Sequence, residues 1–221
     1  KQNEKCMAVL SWERAKEQYG VTMPVVRAME EKGIVKLESM RIYRDPLDLM
    51  ISRSNQKQEE VKMQTGRDFF LNEEQQLAVQ TILKEWDQKD KSVYLLHGVT
   101  GSGKTEVYME LIDFVRKQSK QAIFLIPEIA LTYQMVLRFY QRFGSRVSIL
   151  HSRMSAGERY DQYEKAKNGE IDIMIGPRSA LFTPFSNLGI IIIDEEHEES
   201  YKSETVPRYH ARETAQRRAE M

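Results

Sequence analysis

The sequence predicts an α/β protein, a parallel sheet flanked by helices over residues 69–221, preceded by a small helical domain. Three observations carry this. Short apolar runs at 93–97, 122–126, 147–150, 171–175 and 190–193 alternate with helical segments. They are continuous rather than alternating, as strands buried on both faces of a parallel sheet must be. A glycine-rich turn, 98–103, stands between the first such strand and a helix. The first 46 residues have a separate pattern of their own and are followed by a polar, aperiodic stretch.

In chain order, Leu10 to Tyr19 reads as a helix closed by Gly20. Thr22 caps a second helix with Val25, Val26 and Met29 on one face, and Gly33 ends it. Residues 34–38 alternate as a strand does, and Arg41 to Arg44 can form its partner. Helix, turn, helix and hairpin outline a winged-helix domain over 1–46. A small helical adaptor without DNA contacts fits the same pattern. Residues 47–68 read as a linker, with Ser52 to Lys62 rich in Gln, Glu, Lys, Ser and Asn. Asn72 then caps a helix with Glu74 and Gln75 in its first turn. Helices are expected at 103–117, with Val107, Leu111, Ile112 and Val115 on one face, at 131–143 and at 155–167. Ser155 and Glu158 have the spacing of a capping box.

Composition sets limits. Lys and Arg number 33, as do Asp and Glu, so any nucleic-acid site must be a local basic patch. Cys6 is the only cysteine, which rules out an internal disulfide framework and a cysteine-built zinc site. The longest apolar run, Ile190 to Ile193, is too short to span a bilayer, so no membrane partner is expected.

The residues Gly98-Val99-Thr100-Gly101-Ser102-Gly103-Lys104-Thr105 fill every fixed position of a phosphate-binding loop. Glycines let main-chain amides converge on a phosphate without Cβ clashes. The start of the following helix adds unpaired amides and partial positive charge. Lys104 would reach the β- and γ-phosphates of a nucleotide, and Thr105 would ligate Mg²⁺.

The run Ile190-Ile191-Ile192-Ile193 ends in Asp194-Glu195-Glu196-His197. Alone, a strand followed by acids is a common solvated strand end. In a parallel sheet, however, ligands collect at the carboxyl ends of strands, so these acids and the phosphate loop should share one edge. Asp194 can then hold Mg²⁺, and Glu195 can orient and deprotonate an attacking water.

Asp194-Glu195-Glu196-His197 resembles the DEAD/DEAH-type box of superfamily 2 helicases. With Leu71 to Gln75, Gly98 to Tyr108, Ile126 to Thr132, Gly176 to Phe185 and Asp194 to Tyr201, the chain resembles the primosomal protein N-prime (PriA) family of replication-restart DNA helicases. The resemblance is dense over 71–212. It implies a RecA-like first helicase lobe, an ATP-dependent enzyme that moves 3′-to-5′ on single-stranded and forked DNA, and ATP with Mg²⁺ as cofactors. Primosome and single-strand-binding proteins are implied as partners, and the bacterial cytoplasm, at the nucleoid, as the location.

Residue by residue, Gln75 resembles the glutamine that reads the adenine edge, and His197 the residue linking the ATP and DNA sites. Pro127, Glu128 and Thr132 resemble motif Ia, and Arg178 and Ser179 motif Ib. Both motifs line the single-strand path. Tyr201 to Arg212 resembles the aromatic-rich loop that couples DNA binding to hydrolysis. There, Tyr201 and Tyr209 would stack on bases while Lys202, Arg208 and Arg212 pair with phosphates. The family's structural-zinc cysteines, second motor lobe and arginine finger have no counterpart in the sequence, so the chain is expected to be an internal piece that turns over ATP very slowly by itself. Three rivals are another superfamily 2 translocase, a P-loop kinase or GTPase, and a non-enzymatic DNA- or partner-binding module. A GTPase should carry an Asn-Lys-x-Asp motif, which this sequence lacks.

Overall fold

The structure, a computed structural model, describes residues 10, 12–37, 71–86, 93–99 and 101–221. The chain divides into two compact units, Lys1–Ile42 and Tyr43–Met221.

In the first unit, α1 (Trp12–Tyr19) and α2 (Met23–Glu31) are joined by a three-residue turn whose Gly20 has φ +62°. Thr22 is extended at the start of α2, as expected of an N-cap, but its side chain makes no capping bond. Residues 34–37 form no strand, and the Leu37 amide instead donates to the Glu30 carboxylate at 2.9 Å. The expected second strand, 41–44, lies outside the described residues, as does the expected linker.

In the second unit, α3 (Glu73–Trp86) and α4 (Lys104–Lys117) precede the sheet. Four parallel strands follow, β1 (Gln121–Leu125), β2 (Val147–Ile149), β3 (Ile173–Gly176) and β4 (Leu188–Ile193), in the spatial order β2-β3-β1-β4. Between them run α5 (Tyr133–Phe143) and α6 (Ala156–Lys167), and α7 (Ala211–Glu220) closes the chain. The Ser155–Glu158 capping box forms as the spacing predicts, each side chain bonding the other residue's amide. Helix α7 has no counterpart among the predicted elements.

Side chains alternate across β1, and the core has two layers for that reason. Ala122 and Phe124 face α4 and α5, packing with Met109, Ile112, Val136 and Phe139. Ile123 and Leu125 face the other way, onto Met174, Ala166 of α6, and Ala211 and Ala215 of α7. Each fully buried large side chain contributes about 1.5–3 kcal/mol relative to exposure. The β1–β4 register slips once beside Gly189. A Cβ there would lie 2.6 Å from Val115 and 2.8 Å from Lys120, so only glycine lets β4 approach α4 this closely.

One strand expected in the sheet is absent. Residues 93–97 join no strand ladder, with Val93 73% and Leu95 78% exposed. A strand exists only through a ladder partner. The sheet ends at β4, and among the described residues nothing is hydrogen-bonded along its outer edge. The phosphate loop therefore follows an irregular segment rather than a sheet strand.

Candidate functional site

Because all four strands are parallel, their carboxyl ends share one edge, and three of the functional segments emerge there. Asp194 leaves β4, 127–128 leave β1, and 177–179 leave β3.

The first constellation joins the glycine loop to the acids. Gly103 has φ +82° and caps α4, so Lys104 and Thr105 lie in the first turn. Thr100 lies outside the described residues. The Lys104 ammonium folds back on its own loop, donating to the carbonyls of Gly98 (2.8 Å) and Val99 (3.2 Å). One helical turn beyond Lys104, the Tyr108 hydroxyl donates to Asp194 Oδ1 at 3.3 Å. The start of α4 and the acidic box are thus in contact.

Asp194 is buried, and burial pushes its carboxyl above the usual range, with Glu195 adding to the rise. The hydrogen bonds from Tyr108 and from the Glu195 main-chain amide, and the positive charge of Lys104, act in the opposite direction. Tyr108 and Tyr201 are both pushed far up by burial, and both feel the negative charge of Asp194, so each remains a donor. Glu195 sits at φ +48°, the left-handed region that costs a side-chain-bearing residue about 1–3 kcal/mol. A bond from the Glu198 amide to the Glu195 carbonyl (2.9 Å) holds that turn. His197 Nε2 lies 3.8 Å from Glu195 Oε2, and its side chain is largely exposed.

Gln75 is hydrogen-bonded within the protein at both ends of its side-chain amide. Its Oε1 accepts from the Asn72 amide and its own amide donates to Asn72 Oδ1, both at 2.9 Å, a reciprocal cap on α3. Its Nε2 donates to the carbonyls of Ser102 (3.2 Å) and Gly103 (3.4 Å). Both ends of the amide are engaged on the protein, since the residue closes the helix and the loop together.

The second constellation is a groove beside the first. Pro127, Glu128, Arg178 and Ser179 line it together with Ser152 and Arg159. Two of these are internally committed. Glu128 accepts from the Ser152 amide at 2.6 Å, and Arg178 donates to the carbonyls of Ser200 (2.8 Å) and Lys202 (2.5 Å). Thr132 is outside the groove lining and caps α5, accepting from the Met135 amide at 3.3 Å.

The segment from Tyr201 to Arg212 corrects one expectation. Tyr201 is 1% exposed, with its hydroxyl donating to the Asp194 carbonyl at 2.6 Å, so in this structure it offers no face to a base. Its apolar neighbours on the lower sheet face explain why, since a ring gains more by burial there than in water. Tyr209 packs edge-on against Phe182, centroids 5.2 Å apart. Lys202 bridges His210, and the Ser203 amide donates to the Tyr209 carbonyl at 2.8 Å, closing a loop whose residues 204–208 are exposed. Arg208 lies on that tip, whereas Arg212 pairs with Glu196 at 3.1 Å.

Sequence reasoning missed Tyr108 and Arg218. Tyr108 carried a signal, since i and i+4 share a helix face and Lys104 is already singled out by its motif. Arg218, which donates to the carbonyls of Leu181 and Thr183 and so braces the 178–182 turn, carried none, because α7 itself is not predicted.

The model for the family described as "Type III restriction enzyme, res subunit" matches residues 68–217. The chain is 47% identical over 196 residues to replication restart protein PriA of Bacillus subtilis (strain 168), covering 88% of this chain and 23% of that protein. It is 40% identical over 200 residues to the protein of that name from Synechocystis sp., covering 89% of this chain and 22% of the relative. For Haemophilus influenzae the identity is 42% over 188 residues, covering 85% and 24%. The chain thus spans about a quarter of the length of these relatives. With the match over 68–217 and the glycine loop and acids at one sheet edge, the chain belongs to the family described as type III restriction enzyme, res subunit, and its likeness within the curated proteins is to replication restart protein PriA.

Proposed function

We propose that the chain is the ATP-binding lobe of an ATP-dependent DNA helicase that restarts stalled replication. The observation that carries this is the Tyr108–Asp194 bond, which ties the N-terminal half of α4 to the acidic box. A triphosphate on the 98–105 loop would then have Lys104, Thr105 and Asp194 around its terminal phosphates, with Glu195 on the side of an attacking water.

Magnesium fits this donor set. Among the described residues no group of three or more His, Cys, Asp or Glu could cage a metal. Mg²⁺ is usually held by one or two carboxylates, with phosphates and water completing an octahedron. One carboxylate, Asp194, and one hydroxyl, Thr105, suit that arrangement. The ion would supply charge neutralisation at the phosphates.

The groove of Pro127, Glu128, Arg178 and Ser179 is proposed as part of the single-strand path, with Lys202, Arg208, Tyr209 and Arg212 at its margin. Gln75 would take up adenine by exchanging its bonds to the loop, and His197 would relay between the two sites. The same proposal includes the division into a winged helix (1–46), a linker (47–68) and the lobe (69–221). It also includes 3′-to-5′ movement, forked DNA and primosome and single-strand-binding proteins as partners, and action at the bacterial nucleoid. No helix among the described residues is long and apolar enough to cross a membrane.

ATP turnover by the full-length protein, with and without single-stranded DNA, tests the reading. Turnover should rise with DNA, and Lys104→Ala should abolish nucleotide binding while leaving the circular dichroism spectrum unchanged. Turnover indifferent to both overturns it. The family description favours a second reading, a translocase of the restriction type. Tracking on intact duplex with no preference for forks would support that one.

A further inference from the structure

The main chain of Asp194 is fixed on both sides. Its amide donates to the Leu125 carbonyl at 2.9 Å, continuing the β1–β4 ladder one residue past the strand. Its carbonyl accepts the Tyr201 hydroxyl at 2.6 Å, from a ring buried in the lower core. What the backbone leaves free is the side chain, whose carboxylate torsion is broad and roughly two-fold for an aspartate. Two donors limit that freedom, the main-chain amide of Glu195 and the Tyr108 hydroxyl. The Tyr108 ring is buried against Phe124, centroids 5.7 Å apart, and its hydroxyl donates to Oδ1.

We propose that Tyr108 is a positioning residue for the divalent cation: by holding Oδ1 of Asp194 it fixes the orientation in which the carboxylate meets the metal. The inference rests on the ATP-binding reading of the site and adds a residue to it. The helix that begins with Lys104 and Thr105 carries Tyr108 on its second turn, so one rigid element sets both the phosphate-binding groups and the orientation of the carboxylate opposite them. Pre-orienting the ligand spares the cost of ordering it when the metal binds. A tyrosine whose hydroxyl were merely satisfied by a nearby acceptor would have no effect on metal affinity.

The test uses the full-length protein with Tyr108→Phe, which keeps the ring and its packing. Binding of a fluorescent ATP analogue is followed in EDTA and then across a Mg²⁺ titration, and turnover is measured over the same range. Affinity in EDTA should match the wild type. The Mg²⁺ concentration giving half-maximal nucleotide binding should rise about tenfold, the size of one lost hydrogen bond to a charged group. Turnover at saturating Mg²⁺ should stay within about twofold, because the missing orientation is then supplied by mass action. When Asp194→Asn is already in place, the same change should shift the Mg²⁺ midpoint no further. An unshifted midpoint in Tyr108→Phe, or an equal shift when it is added to Asp194→Asn, overturns the proposal while leaving the ATP-binding reading intact. No nucleotide binding by the wild type at any Mg²⁺ concentration overturns both.

Discussion

Gln75 and Ser102 are hydrogen-bonded across the two helices that frame the phosphate loop, side-chain amide nitrogen to main-chain carbonyl, at 3.2 Å. The same side chain caps α3 through Asn72. A Cβ at Gly103 would lie 2.1 Å from that amide nitrogen, at a backbone φ of +82° that already disfavours any side chain. Gln75→Ala removes a cap worth about 1 kcal/mol and should lower the melting temperature by a few degrees. It should also weaken nucleotide binding. Gly103→Ala should abolish nucleotide binding with Gln75 present and recover it only partly with Gln75→Ala, because the clash is relieved and the positive φ is not. Fluorescent-nucleotide titration of the four proteins checks both statements.

Glu195 is held in a left-handed conformation directly after the residue that Tyr108 orients. Glu195→Gln should keep nucleotide affinity within about threefold and lower turnover by about 10²–10⁴, the usual contribution of a general base. Turnover in the full-length protein near the wild-type rate would remove the water-activating role from this residue.

Tyr201, which the sequence places on a DNA-facing loop, is buried beneath Asp194. Tyr201→Phe leaves the Asp194 carbonyl without that donor and should cost about 1–3 kcal/mol in stability, read by urea denaturation. Unchanged stability would show that the bond holds nothing.

Arg208 and Arg212 have separate fates. Arg208 is exposed on the loop tip, whereas Arg212 is paired with Glu196. Arg208→Ala in the full-length protein should lower the slope of log affinity for single-stranded DNA against log salt by about 0.7, one phosphate contact. Arg212→Ala should change the slope less. Equal slopes for Arg208→Ala and the wild type would place the loop tip off the DNA.

Asp172 lies between Arg146 and Arg116, with Nε of each donating to Oδ2 at 2.9 Å and 3.2 Å. Burial alone would raise this carboxyl, but the two guanidiniums hold it below the ordinary carboxylate range. A depressed folded-state value means stability is gained above the unfolded value near 3.8 and lost as pH falls through the folded one. Asp172→Asn should therefore destabilise by about 1–3 kcal/mol at pH 7 and by progressively less below pH ~4. Urea midpoints at pH 7 and pH 3 measure the difference.

The sequence by itself determined whatever is local in cause. Asn72, Ser155 and Gly103 fix helix starts, because a cap is made within four residues. The β-branched runs at 122–126, 147–150, 171–175 and 190–193 form strands within a residue or two of the predicted limits, because burial on both sides demands continuous apolar stretches. The glycine loop and the acids were legible for the same reason, as their chemistry is written in adjacent residues. Tertiary structure decided everything that depends on a partner distant in the chain. Residues 93–97 are as β-prone as the others and yet form no strand, since a ladder needs a second strand beside it. Tyr201 is amphipathic enough for surface or core, and only the position of the lower sheet face sends it inward. Tyr108 meets Asp194 across 86 residues of sequence, a contact that no helical or strand period encodes.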